Sequence, residues 1–125
     1  MNDLNFDLKK ILFEHKKWLD SNGQEGALAD LKNCKLKGAV LIGANLKNAN
    51  LEGANLRGAN LRWTNLRNTN MKNTNLVKAD LMEAKLKDTS LEGANLKMTK
   101  GLTAEQLNGA VINDKTVLPE SLQRN

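Results

Sequence analysis

Leucine recurs every five residues from Leu31 to Leu96, and that period constrains the fold more than any other feature of the chain. The series runs Leu31, Leu36, Leu41, Leu46, Leu51, Leu56, Leu61, Leu66, Met71, Leu76, Leu81, Leu86, Leu91 and Leu96, fourteen positions in one register. In an α-helix, five residues advance by about 500°, so successive leucines would spiral around the axis with no shared apolar face. In an unbroken strand an odd period sends successive leucines to opposite faces. The pattern becomes consistent only if the chain bends within every pentad.

The other pentad positions agree with a bend. Two residues before each leucine sits a small residue: alanine, threonine, or Cys34. The small residue and the leucine are two apart, so both can point inward from a short extended segment. The residue between them, mostly asparagine, points outward. Two residues after leucine the chain favours Gly or Asn, as at Asn33, Gly38, Gly43, Asn48, Gly53 and Gly58. Those types tolerate positive φ in tight turns. A chain that bends the same way every five residues winds into a solenoid with a narrow core. Such a core has little room for rings. The aromatics are only Phe6, Phe13, Trp18 and Trp63.

The stretch Ala44 to Arg62 reads ANLKN, ANLEG, ANLRG, ANLR. With the flanking pentads of residues 29–98, it resembles the pentapeptide-repeat family. The resemblance implies an all-β solenoid, a right-handed quadrilateral β-helix with four pentads per coil and therefore about 3.5 coils. Coils about 4.8 Å apart would make a short rod.

Both ends of such a rod need covering. Leu4, Leu8, Ile11, Leu12, His15, Trp18 and Leu19 share one side of a helical wheel, which predicts an amphipathic helix over residues 4–20. Ser21, Asn22 and Gly23 supply its stop. The helix is expected to lay Leu8, Leu12, Trp18 and Leu19 over the first coil. Gly101 breaks the register, and Thr103 with Gln106 fits a capping box for a short helix near 104–108. Ala110–Ile112 and Thr116–Leu118 then flank a turn at Asn113–Lys115. The segments HKKWLDSNGQEGALADL and GLTAEQLNGAVINDKTVLP also resemble the two ends of family members. The expected organisation is an N-terminal capping helix and linker (1–28), the β-helix (29–100) and a C-terminal helical and extended cap (101–125), all one structural domain.

No grouping of residues suggests catalysis, a metal or a cofactor. His15 is the single histidine and lies on the apolar stripe; Cys34, the single cysteine, holds an inward small position. One cysteine excludes an internal disulfide. Gln24-Glu25-Gly26 lacks the spacing and lysine of a phosphate loop. The N-terminus has no signal-like apolar region, and no run approaches the roughly 18 apolar residues of a membrane span. A soluble cytoplasmic protein is expected.

The surface carries more information. With four sides per coil, the residues after leucine stack every 20 positions. The first column, Lys32, Glu52, Lys72 and Glu92, alternates in sign and should be self-compensating. The second (Lys37, Arg57, Val77, Lys97) and fourth (Lys47, Arg67, Lys87) make two opposite basic faces. Residues 29–100 hold 13 Lys/Arg and 6 Asp/Glu. Those charges are read either as a solvated surface or as a polyanion-binding one. On the third face Ile42 and Met82 point outward, Val40 takes an outward position before Leu41, and Trp63 takes a corner usually held by Gly or Asn. Either a terminal segment covers Val40, Ile42, Trp63 and Met82, or they form a partner or dimer patch. Phe6 and Phe13, off the apolar stripe of the helix, would cover Trp63 or extend that surface.

Three functions follow for weighing. The first is a non-enzymatic protein-interaction module, monomeric or homodimeric. The second is nucleic-acid or polyanion binding through the basic faces, although no aromatic interleaving supports base stacking. The third is the DNA mimicry by which some family members bind gyrase; that requires an acidic surface, which this chain lacks.

Overall fold

The computed structural model describes residues 4–123, with side chains from Asp7 onward. The helix α1 (Leu4–Asp20) leads into the pentads. These wind with a repeat of 20 residues, through parallel pairs from Asp30 with Asn50 to Asp80 with Lys100. Four pentads therefore complete one coil, and every side of the coil adds one residue to a ladder. The four sides are numbered by their leucines: first Leu31, second Leu36, third Leu41, fourth Leu46.

One pentad explains why the motif has its composition. Leu51 N–H donates to the Asn70 carbonyl at 2.7 Å and Gly53 N–H to Lys72 at 2.8 Å, both in the following coil. Asn55 N–H donates back to Cys34 of the preceding coil at 3.0 Å, and Ala54 N–H closes the corner onto Leu51 at 3.0 Å. The remaining amide, Glu52 N–H, faces outward, and the Asn50 side chain accepts it at 3.0 Å. All five amides are thus satisfied, as a narrow packed coil requires. The same side-chain bond recurs wherever Asn or Asp precedes leucine, from Asp30 with Lys32 to Asn95 with Lys97. Asparagine is in the motif because its short acceptor reaches the one amide that the ladders miss.

The inward positions form the core. The leucine column from Leu31 to Leu96 is buried throughout. Threonine replaces alanine at Thr64, Thr69, Thr74 and Thr89 without orphaning its hydroxyl. Thr64 donates to Leu61 at 2.7 Å and Thr69 to Leu46 at 2.8 Å. All fourteen corner residues adopt positive φ, including five that are neither Gly nor Asn: Trp63, Lys78, Glu83, Asp88 and Met98.

α1 packs on the first coil through Leu8, Ile11 and Leu12. Its end is fixed by Asn22 at φ 55° and Gly23, whose N–H reaches back to Trp18 at 2.8 Å. Trp18 and Leu19, expected over the first coil, are half-buried and are not among the apolar side chains described on the core. The position over the coil belongs instead to His15, which is fully buried, and the Trp18 ring stacks on it at 6.1 Å. The reason is polar. The His15 ring accepts from Ala29 N–H at 3.0 Å through Nδ1 and donates through Nε2 to the Lys47 carbonyl at 2.8 Å. Two main-chain groups at the start of the solenoid thereby gain partners. The side chain of Leu4 lies outside the described ones.

At the other end α2 (Ala104–Gly109) stands where a fourth-side pentad would fall. Its capping box forms as the sequence predicts, with Thr103 accepting from Gln106 N–H. Gln106 also donates from Nε2 to the carbonyls of Leu81 and Ala84, each at 2.9 Å. Past α2 the chain rejoins the ladders: Val111 pairs with Ser90 and Val117 with Asn95. The triplets Ala110-Val111-Ile112 and Thr116-Val117-Leu118 keep the small–x–aliphatic pattern, and Thr116 donates to Leu91 just as Thr69 does to Leu46. The offsets there are no longer multiples of five, which hides them from a periodic reading.

Candidate functional site

Val40, Ile42, Trp63 and Met82 all stay uncovered among the described residues, with exposures of 72%, 54%, 60% and 39%. No described terminal segment folds over them. Phe13 is also exposed, with the Lys17 ammonium 4.8 Å from its ring centre. The side chain of Phe6 lies outside the described ones.

Two of these residues break the rules of the coil. Val40 stands where asparagine would accept the Ile42 amide, and its side chain has no acceptor. Trp63 holds a corner at φ 62°, a conformation that costs a residue with a Cβ roughly 1–2 kcal/mol. Its own N–H still donates to Met82 at 3.0 Å, so the ladder is intact and only the side chain is anomalous.

Arg62 separates Ile42 from Met82 in the outward column of the third side, with Nη2 2.8 Å from the Met82 sulfur and Nε 3.5 Å from Asp80 Oδ2. Val40 and Ile42 make a rim on the first coil beside the half-buried Ala39 and Ala44. Trp63 and Met82 instead line a groove that runs to α2. Met98 was missed by the sequence reading. It is exposed and also holds a corner at φ 62°. The signal that flags Trp63, a side chain where Gly or Asn is expected, would have found it.

The basic columns stand on the second and fourth sides. Lys37, Lys97 and Lys87 are exposed, whereas Arg57, Lys47 and Arg67 are half-buried. None of the six forms an ion pair among the described residues. Val77 is buried in the second column between Arg57 and Lys97. In the first column the alternating charges do not pair directly; Glu52 accepts from the Asn70 side chain at 3.1 Å instead.

The nucleophile and ligand candidates have structural roles. Burial, with the Asp30 carboxylate nearby, pushes the Cys34 thiol up, away from the reactive thiolate. Burial pulls His15 down, so the neutral ring that both hydrogen bonds need is favoured. Among the described residues no cluster of His, Cys, Asp and Glu could hold a metal ion. No described helix is long and apolar enough to cross a membrane.

The family of pentapeptide repeats matches in 8 copies, over residues 27–62 and 59–97. Among solved structures, the chain is similar to alr5209, a pentapeptide repeat protein from Nostoc PCC 7120. The two are 28% identical, with 89% of this chain and 86% of that one covered and a TM-score of 0.68. It is also similar to HetL of the same cyanobacterium, a pentapeptide repeat protein involved in heterocyst differentiation regulation. The identity is 33% and the TM-score 0.58, and 70% of this chain covers 42% of HetL. The chain thus spans less than half the length of HetL. No curated protein matches it.

Proposed function

The chain belongs to the pentapeptide-repeat family, and from that premise we propose that it is a non-enzymatic scaffold that binds another protein through its third side. The observation that carries this reading is Trp63. A large ring is held in a backbone conformation suited to Gly or Asn, and it is left exposed. Val40 repeats the pattern by removing an acceptor that the fold uses elsewhere. Strain and lost hydrogen bonds that leave apolar side chains in water are a signature of a surface selected for something other than folding.

Within this proposal the pentads take the right-handed, four-sided winding of about 3.5 coils that the family resemblance implies. α1 and the segment from Gly101 act as its two caps, in the three-part organisation 1–28, 29–100 and 101–125. The protein works in the cytoplasm, which cell fractionation tests. A photo-crosslinking residue at position 63 should trap a specific protein or a second copy. Trp63→Gly and Val40→Asn should keep the fold and lose that partner. Unchanged partner binding in both variants would sink the reading. Light scattering on the purified chain separates a second copy from a different protein.

A second reading draws on the cations of the second and fourth sides, none of them ion-paired among the described residues. Lys37, Arg57 and Lys97 on one side, and Lys47, Arg67 and Lys87 on the other, would hold a polyanion with affinity falling steeply as salt rises. Absence of DNA or RNA binding at low salt rejects it. DNA mimicry of the gyrase-binding kind is a third reading. It has the least support, because the repeats carry an excess of positive charge.

A further inference from the structure

We infer that the groove between Trp63 and α2 takes an acidic peptide segment that bears one aromatic or large aliphatic side chain, supplied by the partner protein. This rests on the scaffold reading above and names the chemistry of its partner. The groove measures about 710 Å³. Trp63 and Met82 supply its apolar surface, and Arg67, Lys85 and Lys87 line the fourth-side flank. None of these three cations has a carboxylate partner among the described residues.

The groove is built before anything enters it. Gln106 ties α2 to the carbonyls of Leu81 and Ala84. Gly101 lets the chain pass so close to Met82 that an added Cβ would meet its backbone at 2.7 Å. A wall fixed in this way costs little further ordering when a ligand binds. Trp63 offers a flat ring for an aromatic or aliphatic side chain, and Met82 adapts to its shape.

The charges choose between macromolecules. Three cations beside an exposed indole would also suit a single-stranded nucleic acid. Glu83 and Glu105, however, share the groove. A phosphate backbone carries a charge at every step and would be repelled along part of this path. A peptide sets its carboxylates opposite Arg67, Lys85 and Lys87 and leaves other positions neutral.

The test uses the full chain and fluorescence anisotropy of a labelled, short peptide with three clustered aspartates, one phenylalanine and otherwise neutral residues. Binding is expected, and it should weaken with salt. The double variant Lys85→Glu/Lys87→Glu should lose about tenfold in affinity or more. Trp63→Gly should erase the advantage of the phenylalanine peptide over its alanine counterpart. These side chains are exposed, so far-UV circular dichroism should match the parent's, and no variant should melt below it. The assignment is overturned if the peptide does not bind, if the charge-reversed chain binds it equally, or if oligothymidylate binds more tightly. A crosslink through position 63 that survives Lys85→Glu/Lys87→Glu would overturn the groove alone and leave the scaffold reading standing.

Discussion

Two corners of the solenoid obey the same backbone geometry and spend it differently. The corner after the first side reads Asn33, Gly53, Asn73 and Gly93, all at positive φ. Each of Asn33 and Asn73 places its side-chain oxygen where a Cβ on the glycine of the next coil would be. Past α2, Asn113 lies outside the positive-φ series, and its Oδ1 instead accepts from Gly93 N–H at 3.1 Å. The corner after the third side reads Gly43, Trp63 and Glu83. Its residues share the positive φ, yet they present a ring and a carboxylate to solvent. The first corner is optimised for winding. The third departs from that optimum, and it departs where the groove lies.

The largest expected effect breaks the first corner. Gly53→Ala forces a Cβ into positive φ and into the Asn33 side chain at once. It should cost about 2–3 kcal/mol, read as a fall in the denaturation midpoint. Gly43→Ala meets the same φ with nothing within 4 Å, so it should cost only about 1 kcal/mol. Equal losses would mean that the Asn–Gly interlock contributes nothing.

A gain of stability should follow at the third corner. Trp63→Gly removes the Cβ strain and should raise stability by about 1 kcal/mol, less the greater freedom of glycine in the unfolded chain. A marked loss of stability would show that the indole packs usefully and would remove the main argument for a functional surface. Val40→Asn should add a smaller gain, about 0.5–1 kcal/mol, by supplying the Ile42 amide with the acceptor used in other pentads.

The gentlest perturbation is acid, and it should touch neither corner directly. His15 is held below its ordinary value of 6.5 in the folded chain. The unfolded chain therefore binds the proton first. Stability is full above pH 6.5 and declines as pH falls below it toward the folded value. Protonation removes the Nδ1 acceptor for Ala29 N–H, so the loss should begin at α1. His15→Gln should flatten this limb of the pH–stability curve, while the chemical shift of the Trp63 indole stays constant.

Much of the fold is legible in the sequence because its information is local. The leucine period, the small residues two positions before it and the turn formers two after it each act within a pentad. The helix limits at residues 4 and 20 and the Thr103–Gln106 capping box are equally local. The candidate site was legible only as anomalies. Val40 and Trp63 stand out against the repeat, but whether a terminus covers them depends on where the chain ends lie. That Trp63 faces α2 also escapes a linear reading, because α2 replaces a pentad forty residues downstream in the register of the coil.

Residue type alone makes the chain turn every five residues around a leucine column and sets which side chains stay outside. Which of those side chains meet depends on how the coil closes. Neighbours across coils are 20 residues apart, and that number follows from closing the coil in four sides, which a period of five does not encode. The closure placed Asn over Gly at one corner. It seated His15 between Ala29 and Lys47. It also set three cations, without a carboxylate partner among the described residues, beside an exposed tryptophan where the coil ends and α2 begins.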